Sequence, residues 1–395
     1  MDLAGLRELR LRVQGLRAPF DESAPEVVRR FAAVQAQEFL PAQWGLAARV
    51  PVEVRPDAAS VAAALDAGEI LRTHVLRPTW HFLHPDDTRW IMELSAERVH
   101  RANGTYYRRT GLEGDIAVRA MDVVAASLAG GHRTRAELAA ALEDAGIAAA
   151  GLSFVYVMMM AELERIAISG ANVGKQRTYA AFDERVPPSP RRPRDEALAD
   201  LAARFIASRG PVTDRDFATW SGFTLGDTRQ AFADAADRAG PGRFESVDIE
   251  GTPHVVDAAS VDAASVGTAS LSTASVSTAS VGAAPQPGSD EPVIDLLQAY
   301  DEYIMGYAAP RAYLLPTDRD AVHAEFPLHA LMVDGVMAGR WAPVVQAKRA
   351  TARIVPWRTF SAAGERALAA SVADLERFLG VPVTMSVEPK PTDAP

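Results

Sequence analysis

The sequence predicts an α+β chain in which helices followed by a two-stranded wing recur three times, ahead of a C-terminal β-rich portion. Three observations predict it. Capped, helix-periodic stretches give way repeatedly to short runs rich in Val, Thr and aromatics. The 395 residues divide, at about 150 per domain, into two or three units. A low-complexity stretch, VDAAS VDAAS VGTAS LSTAS VSTAS over residues 256–280, then separates the last third of the chain from the rest. The boundaries read as 1–113, 114–190, 191–255, a repeat and linker at 256–292, and 293–395.

The first unit opens with PEVVRRFAAV, where Asp21 and Ser23 can cap a helix and Pro25 sits near its start. A second helix covers SVAAALDAG with Ser60 as cap. ILRTHVLRPTWHFLH reads as strand, and Pro85 with Asp86 opens a helix toward Arg101. In the second unit Thr134 and Glu137 form a capping box for RAELAAALEDAG. A helix through SFVYVMMMAELER follows, and IAISG and QRTYAAFDERV pair across GANVGK. In the third, Thr213 with Asp216 starts one helix, Gly222 breaks the chain, and Thr224 with Asp227 starts the next, a helix–turn–helix.

Residues 256–292 carry too few large side chains to offset ordering entropy and read as a flexible connection or surface loop. Beyond them, VIDLLQAYDEYIMGY, HALMVDGVMAGRW and ATARIVPWRTF alternate like strands. A last helix, GERALAASVADLERFLG, ends at Gly380. Helix, helix, wing is the winged-helix pattern, and three in series suggest a surface that follows a duplex.

Composition excludes several classes. Apolar residues are 48% and charged residues 23%, as in a globular chain with a sizeable core. No run of 18 apolar residues predicts a membrane span, and the N-terminus has no signal-peptide core. Cysteine is absent, which excludes disulfides, thiolate zinc sites and cysteine nucleophiles. The expected compartment is the cytoplasm. The net charge of −10 argues against indiscriminate nucleic-acid binding but leaves room for a local basic channel. Arg supplies nearly all the positive charge, because only Lys175, Lys348 and Lys390 are lysines. No HExxH, GxGxxG, P-loop or GxSxG occurs, so neither a metal nor a nucleotide cofactor is expected.

Two features carry candidate chemistry. In VQAQEFLPAQWGLAAR (34–49), Gln35 and Gln37 lie two apart. In an extended segment they share a face and could orient one water or base edge; at a helix end they are two solvent-facing amides. In LRPTWHFL, alternation puts Arg77, Thr79 and His81 on one side, lining a groove or simply wet, with Trp80 and Phe82 in the core. RVHRANGTYYRR (98–109) carries Arg98, Arg101, Arg108 and Arg109 without an acid and suits phosphate contacts. VDGVMAGRW, with Gly335 at its turn, places Arg340 and Trp341 on a candidate groove-contacting hairpin or in an ordinary strand pair.

VQAQ, LRPTWHFLHPDD, GPVTDRDFATWSG, YDEYIMGY and LMVDGVMAGRW together resemble the winged-helix DNA glycosylases of the AlkZ/YcaQ-like family. The resemblance spans the chain except the 256–292 insertion. It implies three tandem winged helices and a C-terminal β-rich part in a C-shape around double-stranded DNA. It also implies a monomer acting on alkylated purines, some relatives unhooking interstrand crosslinks. The family's Gln–apolar–Gln signature maps onto Gln35, Ala36 and Gln37, the form found in the crosslink-unhooking and antibiotic self-resistance branch. A DNA substrate implies association with the nucleoid.

The chemistry fits those residues. A purine alkylated at N7 or N3 is cationic and leaves without an acid to protonate it. The enzyme then supplies a positioned water and stabilises positive charge on the sugar, which a carboxamide oxygen can do although it is a poor proton acceptor. Glu38 is a minor candidate base. A lyase step needs an amine, and no lysine lies near Gln35, so monofunctional hydrolysis is expected. The rival is a non-catalytic winged-helix transcriptional regulator. The acids at 227, 234 and 237 on its presumed recognition helix oppose major-groove docking.

Overall fold

The computed structural model describes residues 1–261, 291–316 and 329–388. The repeat copies from 262 onward, most of the 256–292 linker and Lys390 lie outside them.

The chain starts with α1 (Leu3–Val13), whose first turn is capped by the Asp2 carboxylate. The first unit then runs α2 (Ala24–Phe31), β1 (Val34–Gln35), α3 (Phe39–Ala47), α4 (Ala58–Ala67), β2 (Leu71–Val75) and β3 (Thr79–Leu83). Its sheet has the order β1-β3-β2. Two local expectations change here. Asp57, not Ser60, caps α4, its carboxylate accepting from the Ser60 N–H. The run 70–84 is two strands rather than one. Leu76 takes φ 62° and Pro78 has no N–H to donate, so the chain folds back as a hairpin.

A long helix, α5 (Pro85–Thr110), leads away from β3 and extends well past Arg101 to Gly111 at φ 69°. The second unit follows as α6 (Gly114–Leu128), β4 (Arg133–Thr134), α7 (Arg135–Asp144), α8 (Leu152–Leu163), β5 (Ala167–Ser169), β6 (Thr178–Ala181) and the short α9 (Phe182–Arg185). The Thr134–Glu137 capping box forms as expected. The third unit comprises α10 (Arg194–Arg209), α11 (Asp214–Ser221), α12 (Leu225–Ala239), β7 (Phe244–Ile249) and β8 (Thr252–Asp257). Its two capping boxes form, and Gly222 takes φ 78° between them. Because β8 reaches Asp257, the start of the expected linker is ordered strand. Asp257 is buried and accepts from Arg243 at 2.6 Å.

One order recurs. After the first helix of each unit, a short extended segment pairs with the last strand of that unit's hairpin. The pairs are β1 with β3, β4 with β6, and Val212 bridged to Val255 of β8.

The C-terminal portion is a five-stranded sheet backed by a helix. Its elements are β9 (Ile294–Leu297), α13 (Glu302–Met305), β10 (Ala330–Val333), β11 (Val336–Val345), β12 (Ala350–Pro356), α14 (Ala362–Leu379) and β13 (Val383–Val387), in the sheet order β13-β12-β11-β10-β9. YDEYIMGY is therefore a helical turn, not strand. Asp301 caps it, accepting from the Tyr303 N–H. This portion does not stand apart. Phe31 and Trp44 share a core with Leu331, Trp341 and Phe378, and Phe205 and Trp220 share one with Tyr303 and Tyr307. Burial of such aromatics, with the aliphatic residues around them, contributes the apolar driving force that docks it onto the first and third units. No helix among the described residues is long and apolar enough to cross a membrane.

Candidate active site

The site forms where β1 emerges from α2. The helix ends at Phe31, Ala32 takes φ 62°, and the chain turns into the extended pair Val34–Gln35. Arg209, at the end of α10, holds that turn by donating to the carbonyls of Phe31 and Ala33 at 3.2 and 3.0 Å. The same guanidinium donates to Glu302 Oε2 at 2.8 Å. Trp220 Nε1 donates to that oxygen at 3.1 Å, and Glu302 Oε1 accepts the Gln35 backbone N–H at 2.8 Å. Arg209 and Glu302 are buried, so each neutralises a charge that would otherwise be stranded. Burial pulls Arg209 below its ordinary pKa, against the pull of Glu302.

Gln35, His81 and Thr73 stand opposite one another across the three strands. Gln35 is 2% exposed and His81 is fully buried. The Gln35 Oε1 accepts from Arg77 at 2.8 Å, and burial lowers the Arg77 pKa. His81 is pushed down to about 3 by burial and by Arg77, so the ring is neutral. Its Nδ1 lies 3.0 Å from the Thr79 carbonyl, which assigns the proton to Nδ1. Among the described residues the Nε2 lone pair then has no partner, and neither do the Thr73 and Thr79 hydroxyls. Three unpartnered buried polar atoms on one sheet face suit a bound water.

Gln37 is placed differently from Gln35. β1 ends at Gln35, and Gln37 lies past the strand, exposed, its Oε1 accepting from the Trp80 N–H at 3.2 Å. It lines a cavity together with Arg72 and Trp80. The two amides thus have separate anchors, where an uninterrupted strand would have held them side by side. Glu38 next to them pairs with His329 at 3.1 Å.

Of the other expected residues, Arg77 and Arg98 meet at the α11–α12 turn. A Cβ built on Gly222 would lie 3.4 Å from Arg77 Cγ and 3.7 Å from Arg98 Nε. Arg101, Arg108 and Arg109 are exposed further along α5. There Arg101 pairs with Glu97, Arg108 donates to Thr105, and Arg109 lies over Tyr106. Phe82 is core, but Trp80 is half-buried and opens on the cavity. Trp341 is a correction: it is 3% exposed and its Nε1 donates to the Leu297 carbonyl at 2.8 Å, so it cannot reach a groove. The Gly335 turn is buried as well, since a Cβ there would lie 2.6 Å from Leu11 in α1. Arg340 remains exposed. The open turn of this sheet is instead 346–349, which carries Lys348 and Arg349.

Sequence reasoning missed Arg209, Glu302, Arg72 and Arg177. The adjacent acids Asp301 and Glu302 within an apolar stretch were a readable signal, because such acids need buried partners.

The sequence model of the family described as DNA glycosylase AlkZ-like matches residues 28–378. This chain belongs to the AlkZ-like DNA glycosylases. Its fold is similar to that of Streptomyces sahachiroi DNA glycosylase AlkZ, with a TM-score of 0.72 at 20% identity over 98% of this chain and 100% of that one. At that identity the likeness speaks for the fold. No curated protein matches the chain. As an AlkZ-like glycosylase the protein is an enzyme acting on DNA, and Gln35 and Gln37 fall inside the matched span.

Proposed function

We propose that this AlkZ-like glycosylase hydrolyses the N-glycosidic bond of cationic N7- and N3-alkylated purines in duplex DNA. Its substrates extend to interstrand crosslinks made by bifunctional alkylating natural products, a DNA-repair and antibiotic self-resistance role. Gln35 and Gln37 are the catalytic pair. Arg77, Thr79, Arg98, Arg101, Arg108, Arg109 and Arg340 contact the DNA, whereas His81, expected beside them, is fully buried and faces Gln35 instead. The recurring helix and hairpin order supports three tandem winged helices in a C-shape around the duplex. The enzyme works as a nucleoid-associated cytoplasmic monomer.

One observation carries the chemistry. The carboxylate nearest the Gln35 main chain, Glu302, is consumed by Arg209, Trp220 and the Gln35 N–H. The histidine opposite Gln35 is held down to about 3 and is a weak base. A site of amides and a neutral imidazole orients water and stabilises a sugar cation by its dipoles, but it cannot activate an unmodified purine. The alkylated base must arrive with its leaving ability built in. Lys175 and Lys348 both sit on hairpin turns outside the elements that carry Gln35, which supports hydrolysis without a Schiff base.

The test is excision from an oligonucleotide bearing one N7-methylguanine, with alkali to reveal abasic sites. Wild type releases the base and leaves the strand intact until alkali is added. Gln35→Ala and Gln37→Ala each lose about 10²–10³-fold in single-turnover rate while binding DNA as before. Wild-type rates in both variants refute the assignment, and strand cleavage without alkali refutes the monofunctional reading.

A further inference from the structure

A cavity of about 350 Å³ opens beside Gln37, between the first and second units. Its walls are aromatic and cationic. Arg72 lies 4.1 Å from the Trp80 ring centre, Arg177 lies 4.4 Å from that of Phe39, and Arg135 lies 4.5 Å from that of Phe154. No salt bridge among the described residues involves any of these three arginines, and the carboxylate that acts on Arg72, Glu162, is bound to His74 at 2.5 Å. The Arg72 guanidinium is buried and, among the described residues, donates only to main-chain carbonyls, those of Ala36 and Gln37. Burial, and then Arg177, lower it to about 9. The ring faces ease the charges without cancelling them.

Three guanidiniums converging without a carboxylate ask for an anion, and planar guanidinium and aromatic surfaces ask for a flat ring. The cationic lesion itself is a poor occupant, since the arginines repel it. A nucleotide supplies both missing features, and the volume lies within the range of small-ligand pockets.

We propose that this cavity is a subsite for a nucleotide of the bound DNA next to the reacting one. Its phosphate accepts from Arg135 and Arg177, and its base lies against the Trp80 and Phe39 side of the pocket. This rests on the glycosylase reading above, and it goes further by naming a second place where the enzyme grips its substrate. Seating the neighbour at the Gln37 rim fixes where the scissile bond stands relative to the two amides.

Binding tests it without requiring cleavage. A duplex carrying a 2′-fluoro N7-methylguanine nucleotide, which resists hydrolysis, is made with 2-aminopurine 5′ to, 3′ to or opposite the lesion. Arg135 and Arg177 are exposed, so Arg135→Ala/Arg177→Ala is expected to fold, and circular dichroism checks it. With wild type, 2-aminopurine fluorescence changes severalfold at one position. With the double variant that change disappears, affinity falls about tenfold or more, and the slope of log affinity against log salt drops by about 1. Arg177→Lys retains the slope. An unchanged slope, with no position-specific fluorescence response in wild type, overturns the subsite even if wild type excises N7-methylguanine. A response that appears only when the lesion carries an aromatic substituent overturns it in favour of that substituent. Failure of excision with this binding pattern intact overturns the N7-methylguanine substrate reading and leaves the subsite standing.

Discussion

The Gln35 main-chain N–H donates to Oε1 of Glu302 at 2.8 Å, across 267 positions of sequence. Through the other carboxylate oxygen, Glu302 is tied to Arg209 and Trp220. The C-terminal portion therefore sets the height of β1, and with it the position of the Gln35 side chain. YDEYIMGY therefore acts on the VQAQ segment through the Gln35 main chain.

Replacing Glu302 by Gln keeps an oxygen for the Gln35 N–H but strands the Arg209 charge in the core. Breaking such a pair destabilises by about 3–5 kcal/mol. Urea unfolding of Glu302→Gln beside wild type measures this. A loss below about 1 kcal/mol would mean the pair does not hold the site.

His81 makes stability depend on pH. Its pKa in the folded chain is held down to about 3, below the ordinary histidine value of about 6.5. Between those values the unfolded chain binds the extra proton, so stability is full above about pH 6.5 and is lost as pH falls toward 3. The urea midpoint of wild type should drop more steeply from pH 7 to pH 4.5 than that of His81→Asn. Equal drops in the two proteins would assign the effect elsewhere.

Trp341 and Arg340 are adjacent but should separate cleanly. Trp341→Phe loses the bond to the Leu297 carbonyl and about 1 kcal/mol of stability, with no change in duplex affinity. Arg340→Ala leaves stability within about 0.5 kcal/mol and weakens duplex binding. Calorimetry and fluorescence anisotropy on both variants check the pair. Weakened binding by folded Trp341→Phe would restore Trp341 as a DNA contact.

Gly222 adopts φ 78°, and a Cβ there would approach the Leu76 carbonyl oxygen to 3.1 Å. Gly222→Ala should cost about 1 kcal/mol or more. It should also weaken DNA binding, because the same turn abuts Arg77 and Arg98. Unchanged affinity in the folded variant would remove those two arginines from the interface.

Whatever was encoded within a few residues could be read from the sequence alone. The boxes Thr134–Glu137, Thr213–Asp216 and Thr224–Asp227 close over three residues, so residue type and spacing decide them before any tertiary contact forms. The α+β class, the helix and hairpin order and the Gln–Ala–Gln motif were legible for the same reason. The exceptions were also local: Pro78 was present to split the strand, and Asp57 to outbid Ser60 as a cap.

The tertiary structure alone decided which polar groups the site contains and which faces are wet. Whether Trp341 meets DNA or the core depends on what packs over β11, and whether Gln37 shares a face with Gln35 depends on where pairing with β3 stops. Glu302, Arg209 and Arg177 acquire their roles from partners far away in sequence. Burial makes those partners matter, because a charge removed from water must find its counter-charge wherever the folded chain happens to bring one.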